Sequence, residues 1–322
     1  MMDSTKLHSF FEQVATKKIL VVGDLIVDRY RFLTPHRLNP EAPTIIFRPS
    51  REEYRLGGAG NVMSNLLALG TKASLATVVG SDWEKIASHF PTLEGSLLVR
   101  ADRTTTVKER LITDRQQLLR IDIQGGGPIE NGVADKLFGD VANALAEADA
   151  VVMSDYDHGV MIPEFVGPLM DFCRRKCKPV IVDSKARDTI SKYRDATIIL
   201  PNVEEAKLIS GLDEFDEKDV AKFLLRHMKL SAVAITLGPR GILLCTKDGQ
   251  ETFPALKHDD EVADVTGAGD TVAATVAACL STGILYNDAI ELANVAAGIK
   301  VRKRGVATVS AAEIMEAIGE AR

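Results

Sequence analysis

Short runs of β-branched and other apolar residues recur along the chain, separated by stretches with helical spacing. The runs at 19–22, 150–153, 180–182, 197–200 and 233–236 are almost wholly apolar. That is the pattern of strands covered by helices on both faces. Helical periodicity predicts helices over 62–69, 132–147, 164–176, 204–210 and 219–228. The alternation predicts an α/β fold of three layers, with a mostly parallel central sheet and crossover helices. Functional loops are then expected at the carboxyl ends of the strands. Two segments break the alternation. Residues 31–55 are rich in proline and charge, with an extended stretch at 44–47, and residues 104–124 alternate polar and apolar positions like a half-exposed hairpin. Together, over about 31–56 and 104–124, they predict a small β lid standing off a single domain of residues 1–322. Residues 125–128, three glycines and a proline, return the chain to the main body, and residues 266–301 are helical and alanine-rich, suited to close helix packing.

Composition narrows the partners. With 46% hydrophobic and 26% charged residues over 322 positions, the chain can build a full core and is not intrinsically disordered. A net charge of −6 excludes a general nucleic-acid binder, which needs a basic surface, but leaves room for a small basic pocket. No apolar run approaches the ~18 residues of a spanning helix. Residues 1–18 lack the apolar core and cleavage site of a secretory signal. A cytoplasmic protein with no membrane partner is expected. Cys173, Cys177, Cys245 and Cys279 form no CxxC pair and have no neighbouring histidine, so reduced thiols are expected rather than a metal site.

The densest chemical signal is Asp264-Val265-Thr266-Gly267-Ala268-Gly269-Asp270-Thr271. Two glycines open a long helical pattern, where free amides and the helix dipole favour an anion. Asp270 in the first turn is placed to take a proton from a hydroxyl. Read alone, the same string also serves as a glycine turn with an acidic helix cap. Arg55-Leu56-Gly57-Gly58-Ala59-Gly60-Asn61 offers backbone that a ligand can approach and an amide for hydroxyls, or a capped helix start. Asp28 lies in a stretch expected to be a loop after the first strand. Asn202 and Glu205 read either as polar ligands or as a helix start with an acidic first turn.

In this order and at these positions the motifs closely resemble the ribokinase/phosphofructokinase-B sugar kinases, over about residues 17–320. The resemblance implies a ribokinase-like α/β/α fold, ATP and Mg²⁺ as cofactors, and a sugar as acceptor. It implies Asp270 as base, with the amides of Gly267, Ala268 and Gly269 as anion hole. Asp28, Gly57, Gly58 and Asn61 would hold the sugar. Asn202 and Glu205 would position Mg²⁺ through water, and Thr236, Gly238 and Gly241 would form a nucleotide loop with Asn294 and Gly298 lining the adenine pocket. Asp264 and Thr266 lie where some relatives bind a monovalent cation. Such lids often pair between subunits, so a homodimer is implied. No Walker string and no protein-kinase catalytic string is present.

Within the family, residues 24–30, 37–43, 57–65, 115–122 and 154–156 resemble the branch that phosphorylates D-glycero-β-D-manno-heptose 7-phosphate at O1 in ADP-heptose and lipopolysaccharide core synthesis; that kinase is fused to a nucleotidyltransferase in many relatives, and from its length this chain is expected to be the stand-alone form. The chemistry of the residues agrees with a phosphorylated substrate. Arg103, Lys108, Arg110, Arg115 and Arg120 crowd one segment of an acidic chain, and Lys108, Arg110 and Arg120 are the expected phosphate ligands. The alternative is a solvated charged face. Asp155 and Lys185, at strand ends, are expected on the substrate side, with Asp183 beside them. Three features depart from the branch: His158 where lysine is expected, Ser184 where proline is usual, and a shortened 83–103 region. They leave open another phosphorylated sugar, such as a hexose phosphate. A silent sugar-phosphate sensor would lack Asp270 or the glycines, and a nicotinamide-dependent oxidoreductase would need GxGxxG after the first strand, which residues 23–28 do not supply.

Overall fold

The structure, a computed structural model, describes residues 4–113, 116–185, 189–214, 216–255 and 262–320. Helix α1 (Ser4–Val14) leads into β1 (Lys18–Gly23), followed by the long strands β2 (Leu25–Leu38) and β3 (Ile45–Gly58), then α2 (Ala59–Ala68) and β4 (Lys72–Val79). Next come β5 (Leu97–Arg100), the hairpin β6 (Val107–Ile112) and β7 (Gln117–Ile123), α3 (Asn131–Glu147) and β8 (Ala150–Asp155). After these are α4 (Pro163–Arg175), β9 (Val180–Ser184), β10 (Ile198–Ile199), α5 (Val203–Ser210), α6 (Glu217–His227), β11 (Ala232–Thr236), β12 (Ile242–Thr246) and β13 (Gly249–Phe253). The chain closes with α7 (Ala268–Ser281), α8 (Tyr286–Lys300) and α9 (Ala311–Glu320).

The nine-stranded sheet runs β13-β12-β11-β10-β9-β8-β1-β4-β5 and is parallel except for the antiparallel edge β12–β13. The apolar strand runs divide by alternation. Ile19 and Val21 join a core built with α1, α2, α7, α8 and α9, and Leu20 and Val22 join the opposite core under α3, α4 and α6. A run apolar at every position is what such double burial requires. This is the three-layer α/β/α architecture expected from the strand and helix pattern. Among the described residues no helix is long and apolar enough to cross a membrane.

A four-stranded sheet, β3-β2-β6-β7, forms from the two irregular segments. Its hairpin β6–β7 falls where alternation predicts it. The other half differs from expectation. The stretch after β1 is not a loop: β2 starts at Leu25 and pairs with β3 back to Leu25↔Gly58, so Asp28 and Gly57 are strand residues. The strands reach this far inward because β2 is apolar and buried from Leu25 to Val27.

Chain order reverses on either side of β1, whose neighbours are β4 and β8. Such a switch point opens a crevice at the strand carboxyl ends. Asp24, buried just past β1, closes its floor by accepting from the N–H groups of Tyr156, His158 and Val160 at 2.8, 3.2 and 3.0 Å. Asp155 turns away from this crevice. Its carboxylate accepts from Lys192 Nζ (2.8 Å), Tyr193 Oη (2.7 Å) and Ser184 Oγ (3.1 Å), which corrects the expectation that it faces the sugar.

Both side chains of the Lys192–Asp155 pair are nearly inaccessible, at 6% and 2% exposure. Removing one partner strands the other charge. Lys192→Met is therefore expected to lose about 3 kcal/mol of stability, read from urea unfolding, with part recovered by adding Asp155→Asn.

Candidate active site

Asp270 stands in the first turn of α7 with its carboxylate buried. Asn61 Nδ2 donates to one oxygen at 2.6 Å and Tyr156 Oη to the other at 2.7 Å. Each donor is itself held. Asn65 donates to Asn61 Oδ1 at 3.2 Å and to its carbonyl at 2.9 Å, while Thr271 Oγ1 donates back to Asn65 Oδ1 at 3.1 Å. Tyr156 hangs from the loop anchored by Asp24. Burial, then the nearby Asp183 carboxylate, pushes Asp270 up to about 7. Burial and Asp270 in turn drive the Tyr156 phenol upward, so it stays a donor. A carboxylate fixed by two donors and poised near neutrality suits a general base.

Gly267 caps α7 in the left-handed region at φ +81°, and a Cβ there would sit 2.7 Å from Asn61 Nδ2. Glycine is thus required by both conformation and space. Of the three expected amides, Ala268 N–H is spent on Val265 O at 3.1 Å. Gly267 and Gly269, at the N-cap and in the first turn, stay candidates for meeting an anion.

On the side of the small sheet, Asp28 is buried and pairs with Arg110. The Gly57 position lies against it, where a Cβ would meet Asp28 Oδ2 at 2.4 Å. Gly58 is the N-cap of α2, which puts Asn61 inside the helix rather than at its cap. The register sets Asp28, Lys108 and Asp122 in one row and Tyr30, Arg110 and Arg120 in the next, all on one sheet face. Lys108 Nζ lies 5.8 Å from the centroid of the Tyr156 ring. Arg120 is half-exposed and held by Asp122 at 2.8 and 3.0 Å. Arg103 is spent on the carbonyls of Gly125 and His158, and Arg115 lies outside the described residues.

Lys185 leads to the far side of the crevice. Its ammonium bridges Asp183 Oδ1 at 3.2 Å and Glu205 Oε1 at 2.9 Å, and these carboxylates raise its pKa despite burial. The second Asp183 oxygen is buried without a hydrogen-bond partner, 3.9 Å from where a Gly269 Cβ would lie. Asn202 and Glu205 form a reciprocal capping box on α5, each bond 2.9 Å. The helix-cap and ligand readings of these residues thus coexist, since Glu205 Oε1 still faces Lys185. Among the described residues no three His, Cys, Asp or Glu converge on a metal. The unpartnered Asp183 oxygen and nearby Glu205 fit a hard cation that keeps its waters. Thr236 pairs with Asn202 and starts the tight loop through Gly238 and Gly241, both at positive φ. Asn294, nearly buried on α8, donates to Pro254 O at 2.7 Å, and Gly298 follows one turn later.

The sequence reading omitted Tyr156 and Asn65 as site residues. Tyr156 was reachable from the strand-end rule, since it follows β8 directly. Asn65 gave no signal, because its role depends on α2 crossing α7.

A profile of the pfkB family carbohydrate kinases matches residues 16–313. The chain is 38% identical over 327 residues to the bifunctional protein HldE of Geobacter metallireducens, covering 99% of this chain and 66% of that protein. It is 37% identical to HldE of Sulfurimonas denitrificans, covering 94% and 64%. The chain spans about two thirds of the length of these relatives. Among solved structures it resembles phosphofructokinase-2 from Escherichia coli in complex with potassium, at TM-score 0.78 and 17% identity over 95% of this chain and 99% of that one. It also resembles ribokinase from Thermotoga maritima, at TM-score 0.72 and 22% identity over 94% and 99%.

A raised carboxylate pKa has a stability signature. The folded state holds the Asp270 proton more tightly than the unfolded chain, so this stabilisation is present below the usual carboxylate range near 4 and lost as pH rises through about 7. Asp270→Asn removes that penalty and keeps an acceptor for Asn61. It is expected to melt higher than the parent at about pH 8 and to lose the advantage at about pH 5, as measured by calorimetry at both pH values.

Proposed function

The chain belongs to the pfkB family of carbohydrate kinases, and from that premise we propose that it transfers the γ-phosphoryl group of ATP to O1 of D-glycero-β-D-manno-heptose 7-phosphate. A phosphorylated acceptor is supported above all by one observation. Arg110 and Arg120 face each other directly across β6 and β7, with Lys108 one row inward. Asp28 and Asp122 each hold one of these arginines from the side, and the like charges in direct cross-strand register with Lys108 beside them favour a further anion on this face. The strings resembling the heptose branch name the sugar, and the HldE relatives are consistent with it.

In this reading Asp28, Gly58 and Asn61 orient the sugar beneath the small sheet, which acts as the lid. Asp270 takes the proton of the anomeric hydroxyl as O1 bonds to the γ-phosphorus and the bond to the ADP oxygen breaks. Such a base contributes about 10²–10⁴-fold. The amides of Gly267 and Gly269 meet the charge on the transferring group. Thr236, Gly238, Gly241, Asn294 and Gly298 flank the nucleotide. Asp183 and Glu205, with Asn202, would hold Mg²⁺ through water, and the ion would neutralise phosphate charge.

The open edge of the small sheet supports a homodimer. Strand β7 is exposed along its length, and its face away from Arg120 shows Leu119, Ile121 and Ile123 at 52, 42 and 40% exposure. An unpaired apolar edge is normally covered. Ile121→Lys is expected to yield monomers in sedimentation, with the fold retained; a monomeric parent chain overturns the pairing.

The activity test is ADP release with the heptose 7-phosphate beside unphosphorylated heptose and fructose phosphates. Selective turnover of the heptose 7-phosphate is expected, with a loss of about 10³-fold or more in Asp270→Asn. Lys108→Ala is expected to raise KM for the phosphorylated sugar about tenfold, the worth of one charged hydrogen bond, and to leave unphosphorylated heptose unaffected. Selective turnover of a hexose phosphate discards the heptose assignment, with His158 and Ser184 the first residues to exchange. The acid limb of kcat/KM is expected near the Asp270 value of about 7. Asp183→Asn removes the neighbouring negative charge and should move that limb to lower pH.

A further inference from the structure

Lys300, the last residue of α8, has no solvent exposure. Lysine is almost never fully buried without partners, because the cost is several kcal/mol before compensation. Here the compensation comes from the loop that precedes the catalytic helix. Lys300 Nζ donates to Asp264 O at 3.0 Å and to Lys303 O at 3.4 Å. The Asp264 carboxylate closes the same knot, accepting from Thr266 N–H and Gly305 N–H, each at 2.8 Å. Ala263 and Asp264 N–H both donate to Val301 O at 2.8 and 3.0 Å. Two segments, 263–266 and 300–305, are thereby tied around one ammonium. Gly267 and Asp270 follow within six residues of Asp264; burial lowers the Lys300 pKa, and the Asp264 and Asp270 carboxylates act against that lowering and favour the ammonium. The position at a helix carboxyl end favours a cation as well.

A free monovalent cation in this loop would need converging oxygens that no other cation holds. The Asp264 carbonyl is already engaged by Lys300, so the residues present do not fit a resident ion. We infer that the Lys300 ammonium is the built-in cation of this loop, a positioning residue that sets the start of α7 and makes turnover independent of added monovalent salt. The inference rests on the kinase reading of α7 given above. It does not depend on which sugar is phosphorylated.

Two variants and the parent chain test it. ADP release and melting temperature are measured in potassium, ammonium and tetramethylammonium chlorides at equal ionic strength. The parent is expected to show the same turnover and melting temperature in all three. Lys300→Ala removes the charge and opens the space. In tetramethylammonium it should lose up to about 10²-fold in kcat, the scale of a small displacement of catalytic groups. Potassium or ammonium should restore much of the loss and raise its melting temperature saturably. Lys300→Met fills the space without charge and should show the loss with no recovery. Specific activation or stabilisation of the parent by potassium overturns the inference, as does a folded Lys300→Ala that no cation affects. If Lys300→Ala does not fold, the ion response of the parent alone decides. Failure of the heptose assignment would appear as no turnover of that sugar in any salt, and would leave the melting measurements intact.

Discussion

The burial of the Asp270 carboxylate is the constraint around which the rest of the site is arranged. A charge in that position costs free energy unless hydrogen-bonded. Asn61 and Tyr156 supply the bonds, one from α2 and one from the loop after β8. Neither is free to adjust. Asn61 is pinned through Asn65 to Thr271 on the same helix as Asp270, and the Tyr156 loop is pinned by the buried Asp24 carboxylate. Gly267 follows from the same demand, because any side chain there would displace Asn61. The glycines of the motif therefore do two jobs: Gly267 clears space for Asn61, the donor to Asp270, and the pair sits at the helix start.

The small sheet is tied to the same point. Strands β2 and β3 begin at the switch point beside β1, so the sheet grows out of the crevice floor rather than hanging from a distant loop. Asp28 marks the junction: it is buried, paired with Arg110 of β6, and lodged where Gly57 of β3 leaves room. Three strands meet at one carboxylate. A movement of β6 changes the Asp28–Arg110 pair directly, which couples the arginine proposed to meet a phosphate to the residue proposed to hold hydroxyls.

Most of the large domain was legible in the chain because its strands are buried on both faces. Runs such as 19–22 and 150–153 read clearly for the same reason that they sit between two cores. The glycine–aspartate string was legible because its chemistry is local to one helix start. What escaped depended on contacts between distant segments. The start of β2 at Leu25 was hidden because its pairing with Gly58 is not visible in either segment alone. Asp155 looked like a strand-end ligand, yet Lys192 and Tyr193, nearly forty residues on, turn it inward. Lys300 gave no signal, since nothing in an alanine-rich helix announces that its final lysine is buried.

The charges of the crevice also explain how a cluster of carboxylates can receive phosphates. Lys185 bridges Asp183 and Glu205, and Asp270 lies near this group, so three carboxylates face one cation and the far side carries surplus negative charge. Burial first, and then Asp183, raises Asp270 to about 7, while Lys185 lowers it. Additional positive charge beside the unpartnered Asp183 oxygen acts in the same sense as Lys185 and pushes Asp270 downward. Asp270 is thus less ionised beside the bare carboxylates than it would be with added positive charge opposite. A carboxylate left exposed at its ordinary pKa would be ionised in both states. Burial beside Asp183 links the ionisation of Asp270 to the charge on the opposite side of the crevice.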